Sequence, residues 1–145
     1  MNQKQLFILR FIILFCLLNL MPACKKQPPA ADYPQLIGRW TGSTTQDQSF
    51  RLTVENFDGV LYITYYRLVV VFNTGGSRTL EQNKPDGIAR ITDRYFNIPM
   101  STGIYGPGYV EGTFNLNTML LSGTFRVYNP SVKDDFITGF LTAGR

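Results

Sequence analysis

From Leu36 to Arg145, apolar and polar residues alternate in short runs, and Gly, Pro, Asn and Asp divide the runs. A two-residue period without a 3.6-residue one predicts strands. The first strand is expected over Leu36–Thr45, with Gly38, Trp40 and Gly42 on one face. The second covers Ser49–Asn56, turning Phe50, Leu52 and Val54 one way and Arg51, Thr53 and Glu55 the other. Asp58-Gly59 then supplies a two-residue hairpin turn, because both residues tolerate positive φ. The turn sets 57 opposite 60, 54 opposite 63 and 52 opposite 65, so Leu61, Ile63 and Tyr65 join the inward set and Thr53 meets Thr64 outside. The third strand runs to Phe72. Its end, Leu68–Phe72, is apolar on both faces, which predicts either cover on both sides or a patch offered to a partner. Arg67 breaks the inward set and admits a bulge near Tyr66.

A loop at Asn73–Ser77 holds Gly75-Gly76, and a polar stretch, not counted as a strand, leads to Pro85-Asp86-Gly87. Short strands follow at Gly87–Ile91 and Tyr95–Met100 about a Thr92-Asp93-Arg94 turn. A Gly/Pro loop, Ser101–Gly108, carries Ile104 and Tyr105. In the hairpin Tyr109–Tyr128, a turn centred on Asn117-Thr118 aligns Val110, Gly112, Phe114 and Leu116 with Met119, Leu121, Gly123, Phe125 and Val127. The last strand is Asp135–Ala143, with Ile137, Gly139, Leu141 and Ala143 inward and Phe136 and Phe140 competing for that place. Eight strands joined by short connections predict an all-β, antiparallel up-and-down meander closing its last strand onto its first as a small barrel; the alternative is a β-sandwich. Inward glycines at 38, 42, 112, 123 and 139 suit close strand approach at a tight barrel wall.

The N-terminal pattern is different. Lys4 and Arg10 precede and flank Phe11–Leu18, eight uninterrupted apolar residues. That run is too short to span a bilayer, which takes about 20 residues, and a basic start, a short apolar core and a small residue make a secretory signal. Ala23-Cys24 follows Leu20, Met21 and Pro22. This stretch resembles the lipobox of bacterial lipoproteins, although Met21 and Pro22 stand where that pattern favours Leu and a small residue. The resemblance implies that Cys24 is acylated, palmitate included, and becomes the new N-terminus. It also implies retention in the outer membrane where the host has two membranes, since Lys25, not Asp, follows. The expected organisation is a signal peptide at 1–23, lipidated Cys24 with a Pro-rich tether to residue 35, and a β-barrel domain at 36–145. The tether's Pro28, Pro29 and Pro34 favour extended conformation, so Lys25–Pro34 would hold the domain roughly 30 Å from the lipid.

Cysteine usage and charge sharpen this picture. The chain has two Cys; Cys16 lies in the signal, leaving Cys24 alone in the mature chain, where no intramolecular disulfide can form. An odd Cys in an exported chain calls for an explanation, and lipid attachment supplies one. The net charge of +4 falls to +2 from Cys24 onward, with 12 basic and 10 acidic residues, and to +1 from Leu36. Nucleic-acid binding needs a basic face, and no basic run exists.

Gly38-Arg39-Trp40 on the first strand resembles the G-x-W signature of lipocalins and their small bacterial lipoprotein relatives. In that family the Trp plugs the closed barrel end beneath a basic residue after the last strand; Trp40 is the only Trp and Arg145 stands in the corresponding place. The resemblance implies an apolar or amphipathic ligand in the barrel, touching Trp40, Phe50, Leu52, Ile63, Tyr65, Phe114 and Phe125. The chain is shorter than that family and shows no second signature loop, and Trp40 also reads as plain core.

Catalytic chemistry finds little to stand on. There is no His and Cys24 is committed to lipid, so His-dependent nucleophile systems and common zinc sites are missing. Asp58, Asp86 and Asp93 are turn residues by type, Asp134-Asp135 reads as a solvated turn, and Glu111 is placed to pair with Arg126. A two-carboxylate hydrolase is the remaining enzymatic alternative. Gly75-Gly76 is not a phosphate loop, since no helix follows, and no cofactor or metal is expected. Tyr62, Tyr66, Tyr105, Tyr109 and Tyr128 fall on outer faces or loops, where they pack across strands or stack on sugars or a partner protein. Two functions follow as expectations. One is an envelope lipoprotein binding a small apolar ligand inside a lipocalin-like barrel. The other is a non-enzymatic structural or accessory lipoprotein docking on another envelope protein through the third strand or the Tyr105 loop. A hollow interior favours the first; a solid core with an exposed patch near Val69 and Val71 favours the second.

Overall fold

The computed structural model describes residues 32–101, 107–129, 131–132 and 134–145. The proposed signal, Cys24, most of the tether, and Ile104 and Tyr105 lie outside the described residues. After a 3-10 turn at Pro34–Leu36 come nine strands: β1 Gly38–Thr44, β2 Ser49–Phe57, β3 Val60–Val71, β4 Ser77–Asn83, β5 Ala89–Arg90, β6 Tyr95–Ser101, β7 Pro107–Asn115, β8 Leu120–Tyr128 and β9 Phe136–Gly144.

They form one antiparallel sheet in the order β4-β3-β2-β1-β9-β8-β7-β6, with β5 also paired to β3. The last strand does close onto the first, through pairs such as Gly42↔Ala143 and Thr44↔Leu141. The ladder is not continuous on the opposite side. There β4 and β6 end the order, and the sheet curls into a half-barrel. Pro99 lies on β6, where a missing N–H costs no ladder bond if it faces the open edge.

Turn chemistry accounts for the hairpins. Asp58 and Gly59 have φ of 50° and 87°, and Asn56 Oδ1 accepts the Gly59 N–H at 2.9 Å. Asp93 and Arg94, at φ 48° and 69°, make the same kind of two-residue turn before β6. Between β7 and β8, Asn115 Oδ1 accepts from the Asn117 and Thr118 amides, and Gly112 pairs with Gly123 as the sequence predicts.

Two expectations need correction. Ser77–Asn83 is a strand, β4, although Leu80 is its only apolar residue. Its polarity suits an edge strand, and its register comes from pairing to apolar β3, Leu68 opposite Leu80 and Val70 opposite Arg78. The second concerns β2–β3. Val54 pairs with Ile63 as expected, but the register shifts at Thr53/Val54, so Thr53 opposes Tyr65 and Leu52 opposes Tyr66. Thr64 is the extra residue, a β-bulge, and it is buried at 4% exposure instead of meeting Thr53 outside. The bulge reverses the alternation: Tyr66, Leu68 and Val70 turn inward, while Tyr65 and Arg67 turn outward. Arg67 therefore does not interrupt the core, because the chain changes phase before reaching it.

One core fills the half-barrel, with Trp40, Phe50, Phe96, Phe114 and Phe125 its largest fully buried side chains. Trp40 donates its indole N–H to Leu36 O at 2.9 Å and meets Phe114 edge-on at 4.9 Å. Close strand approach is real at the seam. Gly42 keeps the inward register opposite buried Phe50 and Ala143, and a Cβ there would run into Thr142 O and lie 2.6 Å from Ala143 Cα.

Candidate functional site

Of the expected ligand-contacting residues, Trp40, Phe50, Leu52, Ile63, Phe114 and Phe125 all face the interior and all have 0% exposure. Their contacts are with each other and with the rest of one cluster. Tyr65 is the exception: the bulge puts it on the outer face, its hydroxyl donating to Glu81 at 3.0 Å. The six inward side chains form part of one continuous buried apolar cluster.

The open chemistry is outside. On β6–β9 the register sets outward residues in rows: Pro99, Tyr109, Arg126 and Thr138; then Asn97, Glu111, Thr124 and Phe140. Phe140 is 65% exposed on a regular strand and Phe136 is 39% exposed, which settles their competition with Ile137 and Leu141 outward. Phe136 pairs with Tyr128, ring centroids 5.4 Å apart. The Arg126 guanidinium lies 4.4 Å from the Phe136 ring and 4.9 Å from that of Tyr128, and its Nε is buried without a hydrogen-bond partner. Tyr128 and Tyr66, expected on outer surfaces, are 8% and 5% exposed; the first is covered by Phe136 on its own face, the second is rotated in by the bulge. Phe140, Thr45, Tyr109, Thr124 and Thr138 border a groove of about 340 Å³.

Glu111 does not pair with Arg126. It accepts from Tyr95 at 2.7 Å, from Thr124 at 3.0 Å and from Asn97 at 3.3 Å. The Tyr95 hydrogen bond, followed by those from Thr124 and Asn97 and opposed by slight burial, holds the Glu111 carboxyl below its ordinary pKa; the same bond raises that of Tyr95. A carboxylate held ionised by three donors on an exposed face suits binding, not proton transfer.

At one end of the half-barrel a polar cluster ties the β3–β4 turn to the β8–β9 connection. Thr74 Oγ1 donates to Asp135 Oδ2 at 2.5 Å and Asn129 Nδ2 donates to the same oxygen at 2.9 Å. Asp135 is 9% exposed, so the reading of Asp134-Asp135 as a solvated turn holds only for its first residue. Nearby, Gln46 completes the end of β3: its amide accepts from Val71 N at 3.0 Å and donates to Val71 O at 2.8 Å. Val71 is 38% exposed and Val69 half-buried, a smaller apolar surface than Phe136 and Phe140 provide. After β9, Arg145 donates to Gln35 O at 2.7 Å, and its guanidinium comes within 3.3 Å of where a Gly38 Cβ would stand. Among the described residues no group of three His, Cys, Asp or Glu converges as a metal site, and no helix is long and apolar enough to cross a membrane.

Fold and surface together define a small antiparallel β half-barrel with a filled interior and an aromatic outer face on β6–β9. No family model matches the chain, and neither the curated proteins nor the solved structures searched show a significant similarity to it.

Proposed function

We propose that this is a lipid-anchored, non-enzymatic protein of the bacterial cell envelope, in the outer membrane where the host has two, and that its domain docks on another envelope protein. Phe140 carries the reading: a Phe 65% exposed in mid-strand, on the same face as exposed Phe136 and an aromatic-stacked Arg126. Aromatic residues and Arg are the side chains enriched at interface centres. Binding of a small apolar ligand inside the barrel, the other expectation, is the less supported reading, since its six inward candidates are fully buried against one another.

The anchor rests on the apolar run Phe11–Leu18, on Ala23-Cys24, and on Cys24 being the only Cys after the proposed cut. Labelling with radioactive palmitate tests it: wild type takes up label and Cys24→Ala does not, and equal labelling refutes the anchor. Docking is tested in cells with a photo-crosslinking residue at Thr138. A discrete protein adduct is expected there, absent with the probe at Asn117 in the β7–β8 turn and lost when Phe140→Asp is added. An adduct indifferent to Phe140→Asp removes the docking face.

A further inference from the structure

The outer face of β1–β4, away from the aromatic surface, carries an unusual arrangement of charge. Arg51 on β2 lies directly opposite Arg67 on β3, and Arg39 on β1 opposes Thr53, next to Arg51's outward position. Like charges directly opposite on a sheet are destabilising unless counter-charges compensate. Arg67 has one: Nε lies 3.7 Å from Glu81 Oε2, and its Nη1 donates to Ser49 at 3.0 Å. Neither Arg39 nor Arg51 forms an ion pair with any described residue. All ten acidic residues fall among the described residues; the ion pairs they form with described residues are Arg67–Glu81 and Lys84–Asp86.

Those two arginines border a groove of about 440 Å³, together with Thr53, Tyr65, Asn83 and Glu55. The Thr64 bulge accompanies this shape. It places Tyr65 outward beside Asn83, and the carbonyl of Thr64 accepts from Lys84 N at 2.8 Å, holding the end of β4 against β3.

We propose that this groove binds a phosphate ester of a small polyol. Two guanidinium groups without carboxylate partners match a phosphate, whose oxygens accept forked N–H pairs. Glu55, in the same groove, faces an acceptor-only ligand unfavourably but accepts from hydroxyl groups. A phosphate carrying hydroxyls therefore meets both signs of charge. Such a group occurs on glycerophospholipid head groups and on soluble sugar phosphates.

The test uses the full-length chain in non-ionic detergent micelles, titrated with glycerol 3-phosphate and followed by calorimetry and by thermal unfolding. Saturable binding is expected, with glycerol alone inert. Arg51→Gln and Arg39→Gln each weaken it about tenfold, the loss expected for one charge-assisted hydrogen-bonding group, while Arg90→Gln leaves it unchanged. Because Arg51 faces Arg67, Arg51→Gln also raises the unliganded melting temperature by about 1–4 °C. A variant that folds better and binds worse is not explained by a structural role. Doping the micelles with phosphatidylglycerol separates the sources: competition identifies a lipid head group, and undiminished binding identifies a soluble ester. No saturable binding, or binding indifferent to both arginine substitutions, overturns the proposal. Failure here leaves the Thr138 crosslink unaffected, since the two faces share no residue.

Discussion

Trp40 donates to Leu36 O and packs its ring edge-on against Phe114, so a polar and an apolar contact sit on one side chain. Trp40→Phe keeps the aromatic but strands a carbonyl and opens a void. A loss of about 2–4 kcal/mol is expected in urea unfolding; a change below 1 kcal/mol, roughly the net worth of one ordinary hydrogen bond, would contradict this role. Glu111 supplies a second test at this scale. Its folded pKa lies below the ordinary value, first because Tyr95 donates to it. The stability it contributes is therefore complete above the unfolded pKa and is lost as pH falls through the lowered folded one. Because the site is exposed, the direction is the useful quantity. In Tyr95→Phe, the NMR titration midpoint of Glu111 should move up toward the ordinary carboxylate range; an unmoved midpoint means that the hydrogen bond is not the cause.

At the scale of elements, the β1–β9 seam and the β3 bulge decide the architecture. The seam needs Gly42, because any Cβ there collides with the backbone of Thr142 and Ala143. Gly42→Ala should cost about 3 kcal/mol, read as a lowered urea midpoint, and an unchanged midpoint would show that the strands separate freely. The hairpin turns at Asp58-Gly59 and Asn117-Thr118 were legible because their chemistry is local. The bulge was not. Thr64 resembles any strand residue in sequence, and its insertion becomes favourable only when Tyr66, Leu68 and Val70 gain the core together. Nor was β4 legible, since one Leu in seven residues gives no period; it forms because β3 offers it a ladder.

At the scale of the whole molecule, the strands differ in how many neighbours hold them. β1, β2, β8 and β9 are paired on both sides, whereas β4 and β6 end the order. Amides of Leu52, Val127 and Leu141 should exchange with deuterium only through global unfolding, and those of β4 that do not bond to β3 much faster. Uniform protection across the sheet would mean that the open side is closed in solution. The alternation of side chains, the turn dipeptides and the single thiol after an apolar run are properties of neighbouring residues. By themselves they determined the strand-rich class, most strand positions, the closure partner of β1 and the expected anchor. Tertiary packing alone decided the rest: that the interior is filled, that Tyr65 faces out and Phe140 stays uncovered, and that Arg51 meets Arg67. Those outcomes depend on volume and register summed over the whole sheet, and no short stretch of chain encodes either.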